Sequence, residues 1–474
     1  MEIQTILLLI FIALCLGLLA NRWQRINLLM GASILLMYWL QPETNLRYLG
    51  YWLPAISLAL IVFVWAVTAD ESLRKGPQTV RALLTILALM VLMHVLSYLD
   101  THHLLGLNNS PVIYRALPFV LALLGIPTLL IYRQIKTKAW QWIALSLLII
   151  LFVLLKTPSL TAWVSRSWRF LVGQSLGLAS AGEVQWLGYS YLAFRLLHTI
   201  RDKQAGRLPA IELNEFITYS VFFPSLMAGP IARIDQVLDS LKQPSSKFPD
   251  AFWEGTQRIL SGLFKKFVLA DSLAVFALNP LNALQPTTSA GSWVLLYAYS
   301  FQIYLDFSGY TDIAIGIGSY LGVKLPENFN NPYLKPNLTQ FWSNWHMTLT
   351  NWFRAYFFNP ISRALRKKKL PALVILLITQ ISTMVLVGLW HGITLNFIAW
   401  GIWHGVGLLI QNRWSAWIKG YLPAPDRYPR IDKLLNALGI VATFHYVTLG
   451  WIWFVLPTPI LARDFLAHLL GLNI

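Results

Sequence analysis

The chain has 474 residues, 56% of them hydrophobic and 12% charged, with a formal charge of +17 and a mean hydropathy of +0.56. So little charge cannot cover the surface of a soluble protein of this size, and the expected class is an all-α, polytopic integral membrane protein. The surplus of Lys and Arg lies in short connections between apolar runs, where it reads as topology rather than as a nucleic-acid surface, so no nucleic acid is expected as a partner.

Crossing a bilayer takes about 20 apolar residues. Runs approaching that length occur near 5–20, 26–41, 48–69, 82–99, 111–132 and 139–155, then near 186–200, 256–278, 291–320, 371–389, 392–411 and 437–456. They predict about 11–12 transmembrane helices. The first run lacks a basic leader and ends at Arg22 and Arg25, as an uncleaved helix would. Arg74, Lys75 and Arg81, then Arg133, Lys136 and Lys138, then Arg201, Lys203 and Arg207 fill alternate connections, while the intervening ones hold fewer. That bias predicts the N-terminus outside and the Arg363–Lys369 cluster in the cytoplasm. Cys15 is the only cysteine, which excludes an intrachain disulfide or thiolate metal site and reads as a packed thiol.

Residues 1–181 read as scaffold helices with few polar groups inside the spans. The character changes from Gly182 onward. Tyr189, Arg195 and His198 share one apolar stretch, and the FFPSLMAGP core of Glu212–Arg233 is too interrupted for a simple span. Broken or re-entrant helices at membrane depth are tolerated only where they are buried in protein or line a watery cavity. The polar stretch ENFNNPYLKPN, with Pro332 and Pro336, predicts a structured loop leading into an aromatic helix near Thr339.

Three polar clusters follow. Asp306 and Tyr310 in DFSGYTD stand four apart on one helical face, where a hydrogen-bond network and a catalytic role are both open. In FWSNWHMTLTNWFR, Trp342, Trp345 and Trp352 read as an interfacial belt, and His346 as either a headgroup neighbour or a functional group. Arg354 lies about two turns beyond and is placed to meet a carboxylate or a donor phosphate. In LWHGITLNFIAWGIWHGV, His391 and His404 each sit in a Trp-His-Gly triplet. An ionisable residue in hydrocarbon is by default a functional site. His391 reads as the acting group and His404 as support. A desolvated imidazole is held neutral, which suits a general base. No GxSxG elbow, HExxH helix, P-loop or glycine-rich dinucleotide turn proposes hydrolysis, metal, phosphoryl or hydride chemistry, and no metal or bound cofactor is expected. One tension remains, since an unbroken helix from Leu370 carries His391 about 30 Å, to the outer face rather than mid-depth.

The run DFSGYTDIAIGIGSYLGVKLPENFNNPY, then FWSNWH with NWFR, then the two WHG triplets, closely resembles the bacterial polysaccharide-modifying branch of the membrane-bound O-acyltransferase family. FFPSLMAGPIAR and GLFKKFVLADSLA resemble the same branch, so the likeness covers about residues 185–412. It implies helices around a central tunnel in the bacterial inner membrane, with an acyl group, acetyl by analogy, moving from a cytoplasmic thioester donor such as acetyl-CoA to a hydroxyl of an extracytoplasmic polysaccharide. It also implies His391 and His346 as catalytic residues, either by general base catalysis or with His391 carrying the acyl group. Asn328, Asn330, Tyr310, Arg354, Asp306 and His404 fall in or beside the binding machinery. A periplasmic transferase is a further expected partner beside the lipid bilayer. The chain departs from the branch at Ser343, Asn344 and Ala355, and in having Ile361–Lys369 in place of a Gly-Gly-Asn-Arg segment, which argues against a plain alginate enzyme. The resemblance divides the chain into scaffold helices at 1–181, an acyltransferase core at 182–412 and terminal helices at 413–474. A transporter or flippase of lipid-linked saccharides is the alternative, since broken helices serve translocation too.

Overall fold

The computed structural model describes residues 2–19, 25–99, 137–242, 248–418 and 429–472, with single positions 111, 125 and 128. The expected run at 111–132 therefore lies outside the described residues, apart from those three positions. All regular structure among the described residues is helical. Five helices are long and apolar enough to cross a membrane: Leu49–Thr68, Pro77–Leu99, Lys138–Lys156, Ala372–His391 and Arg430–Val455. Two shorter apolar helices, Ile3–Leu19 and Arg25–Trp39, precede them.

The chain forms two compact units, one of residues 1–256 with 314–325 and the other of residues 257–313 with 326–474. In the first unit the helices are α1 (Ile3–Leu19), α2 (Arg25–Trp39), α3 (Leu49–Thr68), α4 (Pro77–Leu99), α5 (Thr137–Lys156), α6 (Pro158–Leu171), α7 (Tyr189–Gln204), α8 (Leu213–Ser220) and α9 (Ile234–Lys242). Helix α3 is apolar on all sides, and 89% of its spanning window is buried, against 17% for α5. The two have similar hydropathy, so position rather than composition separates a core helix from a lipid-facing one. Accordingly α5 turns Trp142, Ile143 and Ile150 outward.

The interrupted FFPSLMAGP segment is a broken helix. Helix α8 stops at Ser220, a single 3-10 turn spans Phe223–Ser225, and regular helix resumes only at Ile234. Ending a helix in a buried place strands carbonyls that would otherwise need water. Arg195, buried on α7, supplies the donors: its guanidinium reaches the carbonyls of Tyr219 at 3.1 Å, Ser220 at 2.9 Å and Ser225 at 2.7 Å. One buried cation thereby satisfies the break.

Outside the spans, α6 carries Arg169 and Ser165 against Glu183. The Arg169 guanidinium, helped by the Ser165 hydroxyl and the Ser180 N–H, pulls the Glu183 carboxyl down from 4.5 to about 2. A carboxyl lowered by folding stabilises fully above its ordinary value, and that stabilisation drains away as pH falls from 4.5 through about 2. Glu183→Gln is expected to lower the melting temperature at pH 7 and to flatten the loss of stability on acidification, as read by thermal unfolding in detergent across that window.

The second unit holds the end of α10 (Phe248–Leu263), most of α11 (Ser289–Tyr320), then α12 (Leu338–Asn344), α13 (Met347–Phe353), α14 (Asn359–Lys367), α15 (Ala372–His391), α16 (Leu395–Ile418), α17 (Pro429–Val455) and α18 (Pro459–Leu469). Helices α10 and α11 touch where Gly262 meets Gly309, a Cβ on Gly262 lying 2.5 Å from the Gly309 carbonyl. Just beyond, a π-helical turn at Phe264–Ala270 brings Lys265 and Lys266 to α11. Lys266 pairs with Asp306, while Asp312 takes Lys265 at 2.7 Å and Arg258 at 3.2 Å. The carboxylates of DFSGYTD are thus neutralised by cations on the neighbouring helix, which favours the network reading of that motif.

Helices α15 and α16 form a close hairpin. A Cβ on Gly388 would lie 2.1 Å from the Phe397 carbonyl, one on Gly401 2.6 Å from that of Met384, and one on Gly405 3.0 Å from Ile381 Cα. Glycine at these three places lets the two backbones approach. The hairpin also sets His391, the last residue of α15, within 5.8 Å of the Trp400 ring.

Candidate active site

His391 ends α15 because Gly392 turns extended there, at φ 177°. Its imidazole is ringed by aromatic side chains: Trp390 at 4.5 Å, Phe454 at 4.7 Å, and Phe397 and Trp400 each at 5.8 Å between centroids. His346 sits at the break between α12 and α13, in the left-handed region at φ 41°, ψ 55°. A residue other than glycine holds that conformation only when its surroundings impose it. Its ring meets Phe307 edge-on at 4.7 Å, and its Nε2 is buried without a protein partner.

Both histidines line one cavity of about 60 Å³, shared with Ile303, Phe307, Trp342, Trp345, Leu349, Val387, Trp400, Trp451 and Phe454. Helices α11, α12, α13, α15, α16 and α17 all contribute to it. His391 thus faces a cavity lined by protein side chains. Such a cavity holds a few waters or a small acyl group, with two imidazoles as its ionisable groups.

A second, larger cavity of about 190 Å³ adjoins the first, sharing Trp342 and Val387. Thr339, Thr350, Arg354, Gln380 and Thr383 give it a polar lining on an apolar floor of Phe353, Phe358, Met384 and Leu408. Gln380 Oε1 and Trp342 Nε1 are buried in its wall without protein partners, one an acceptor and the other a donor. A slot of this kind suits an extended chain carrying amide groups.

The remaining sequence candidates fall into place around these two spaces. Arg354 lines the larger cavity and is otherwise exposed. His404 is fully buried behind Trp400 and Trp342, at 4.9 and 5.0 Å, and does not line the histidine cavity. Asp306 is engaged by Lys266, Tyr310 is half-buried on the same helix, and neither lines either cavity. Asn328 is buried with its oxygens occupied by backbone and side chain of the His346 segment, and Asn330 is exposed while its N–H binds the Asn344 carbonyl. The interfacial belt expected at Trp342 and Trp345 is corrected, because these rings are 6% and 5% exposed and form cavity wall. The rings pack on other helices instead, Trp342 against Trp400 and His404 and Trp345 against Tyr333 and Trp451. Sequence reading missed Trp451 and Phe454 of α17, which lie beyond residue 412; the signal available was the aromatic run GWIWFV.

Residues 52–456 match the membrane-bound O-acyltransferase family. The chain belongs to that family. Among similar proteins, a probable alginate O-acetylase of Pseudomonas aeruginosa is 36% identical over 271 residues, covering 56% of this chain and 48% of the relative. A teichoic acid D-alanyltransferase of Bacillus subtilis is 29% identical over 297 residues, covering 62% of this chain and 74% of the relative. A peptidoglycan O-acetyltransferase of Helicobacter pylori is 33% identical over 267 residues, covering 55% of this chain and 48% of the relative. The chain thus spans about half the length of the alginate and peptidoglycan relatives it matches. The cavity of this family member is lined by two histidines, and no group of residues that could hold a metal ion occurs among the described residues.

Proposed function

We propose that this acyltransferase moves an acyl group, acetyl in the simplest case, from a cytoplasmic thioester such as acetyl-CoA to a hydroxyl of an extracytoplasmic cell-envelope polysaccharide or exopolysaccharide. The observation that carries this reading is the shared cavity of His391 and His346, lined otherwise by apolar and aromatic side chains. His391 removes the proton from the acceptor hydroxyl as the oxygen attacks the thioester carbonyl. The tetrahedral intermediate then collapses, the C–S bond breaks, and the leaving thiolate takes the proton back from the imidazolium. Atoms and charge balance without a metal. His346, across the cavity, orients the donor carbonyl or stabilises the charge that develops on it. In a two-step version His391 carries the acyl group before the hydroxyl arrives.

The 190 Å³ slot beside the cavity suits the donor arm, with Gln380 and Trp342 meeting its amides and Arg354 a phosphate. An N-terminus outside and a basic Arg363–Lys369 segment in the cytoplasm fit that direction of transfer in a bacterial inner membrane. A periplasmic transferase that accepts the acyl group is the second partner to seek.

Mass spectrometry of envelope polymers tests the reading. Deleting the gene should remove alkali-labile acyl esters from one polymer, and the intact chain should restore them. Unchanged acylation together with impaired saccharide export would overturn it in favour of translocation.

A further inference from the structure

His346 is held where it is by the loop that precedes it in sequence. Residues 328–330 run alongside the break between α12 and α13, and their contacts bracket His346 on both sides. The N–H of Asn330 donates to the Asn344 carbonyl at 3.1 Å, and the N–H of Met347 to the Asn328 carbonyl at 2.9 Å. The Thr348 hydroxyl donates to Asn328 Oδ1 at 2.6 Å, with the Thr348 N–H directed at the same oxygen at 3.3 Å. Asn328 is fully buried and Thr348 nearly so, at 0% and 7% exposure. Between these anchors His346 adopts its left-handed backbone, at φ 41°.

If the break closed, α12 would run into α13, residue 346 would take helical angles, and its imidazole would leave the cavity wall. Two backbone hydrogen bonds tie the loop to the break whatever side chains are present. A side-chain fastening is the Asn328–Thr348 bond, formed in a buried place where water does not compete with it.

We propose that Asn328 and Thr348 form a clamp that positions His346, so that Asn328 acts through the histidine rather than on substrate. The proposal rests on the acyl-transfer reading of the cavity. It identifies Thr348, two residues from the histidine and outside the cavity lining, as a positioning residue. A misplacement of about 1 Å at a reacting group costs on the order of 100-fold in rate, so a side-chain bond that acts only on geometry has a measurable signature.

The test compares Thr348→Val, which keeps shape and removes the hydroxyl, with Thr348→Ser, which keeps the hydroxyl. The full chain is reconstituted in proteoliposomes with acetyl-CoA as donor and envelope polysaccharide from the deletion strain as acceptor. His391→Ala runs alongside. The clamp predicts that Thr348→Val lowers kcat by about 100-fold with KM for acetyl-CoA unchanged and the melting temperature lowered, because a buried acceptor loses its shorter bond, and that Thr348→Ser recovers most of the rate and of the stability. Should the valine variant fail to accumulate, Thr348→Ala replaces it. Wild-type kcat in Thr348→Val while His391→Ala is inactive would overturn the clamp and leave the acyl-transfer reading standing. A change confined to KM would also overturn it, by making the segment a substrate contact. If His391→Ala itself turned over at the wild-type rate, the acyl-transfer reading would fall, and the clamp with it.

Discussion

His391→Ala is expected to lower acyl ester formation by about 10³-fold, within the span that a positioned general base contributes. The protein should still accumulate, with a modest drop in melting temperature from the lost ring contacts to Phe397 and Trp400 of α16 and Phe454 of α17. His346→Ala should cost less, on the order of 10-fold to 100-fold, as expected for a group that orients or stabilises rather than one that carries the proton. The assay is transfer of radiolabelled acetyl from a thioester to envelope polysaccharide by membranes containing each variant. His404→Ala provides the contrast. Its ring packs behind Trp400 and outside the cavity lining, so its loss should reduce stability more than it changes the ratio of kcat to KM.

Gly388→Ala should produce the largest loss of stability. The added Cβ would stand 2.1 Å from the Phe397 carbonyl, an approach that backbone atoms can relieve only by moving the helices apart. Overpacking of this kind costs typically 1–3 kcal/mol and sometimes more. Separating α15 from α16 also separates His391 from Trp400, so activity should fall together with the melting temperature. Gly405→Ala, with its nearest neighbour at 3.0 Å, should be milder. Thermal unfolding in detergent and fluorescence-detected size exclusion distinguish the two. Equal melting temperatures for Gly388→Ala and the wild type would contradict the close-hairpin account.

Much of the site was legible because ionisable groups are costly in hydrocarbon. That cost singled out His391 and His404, and the place of His391 at the end of an apolar run, just before Gly392, set it apart from His404; His346, open on its residues alone, was raised by the family resemblance. Helical spacing also put Asp306 near Tyr310 on one face, although the cation that Asp306 meets, Lys266, lies on a different helical segment that no local pattern connects to it. Tryptophan spacing misled at Trp342 and Trp345. An interfacial belt and a cavity wall have the same residue types, and only packing against distant residues such as Trp400 and Trp451, invisible in a residue pattern, decides between them. The contribution of Trp451 and Phe454 was hidden for a related reason. Contacts between α17 and the hairpin depend on long-range packing, not on spacing along the chain. The Arg195 support of the broken helix was half legible: Pro224 announces the break, but the donor that satisfies it comes from α7.

The central claim is that an acyl group passes through the histidine cavity from a thioester on one side of the membrane to a hydroxyl on the other. Proteoliposomes of uniform orientation, with radiolabelled acetyl-CoA sealed on the cytoplasmic side and envelope polysaccharide supplied only on the opposite side, test it most directly. The account predicts ester-linked label on the polysaccharide with the wild-type chain and none above background with His391→Ala. Label transferred equally by both chains, or only when donor and acceptor share one side, would contradict it.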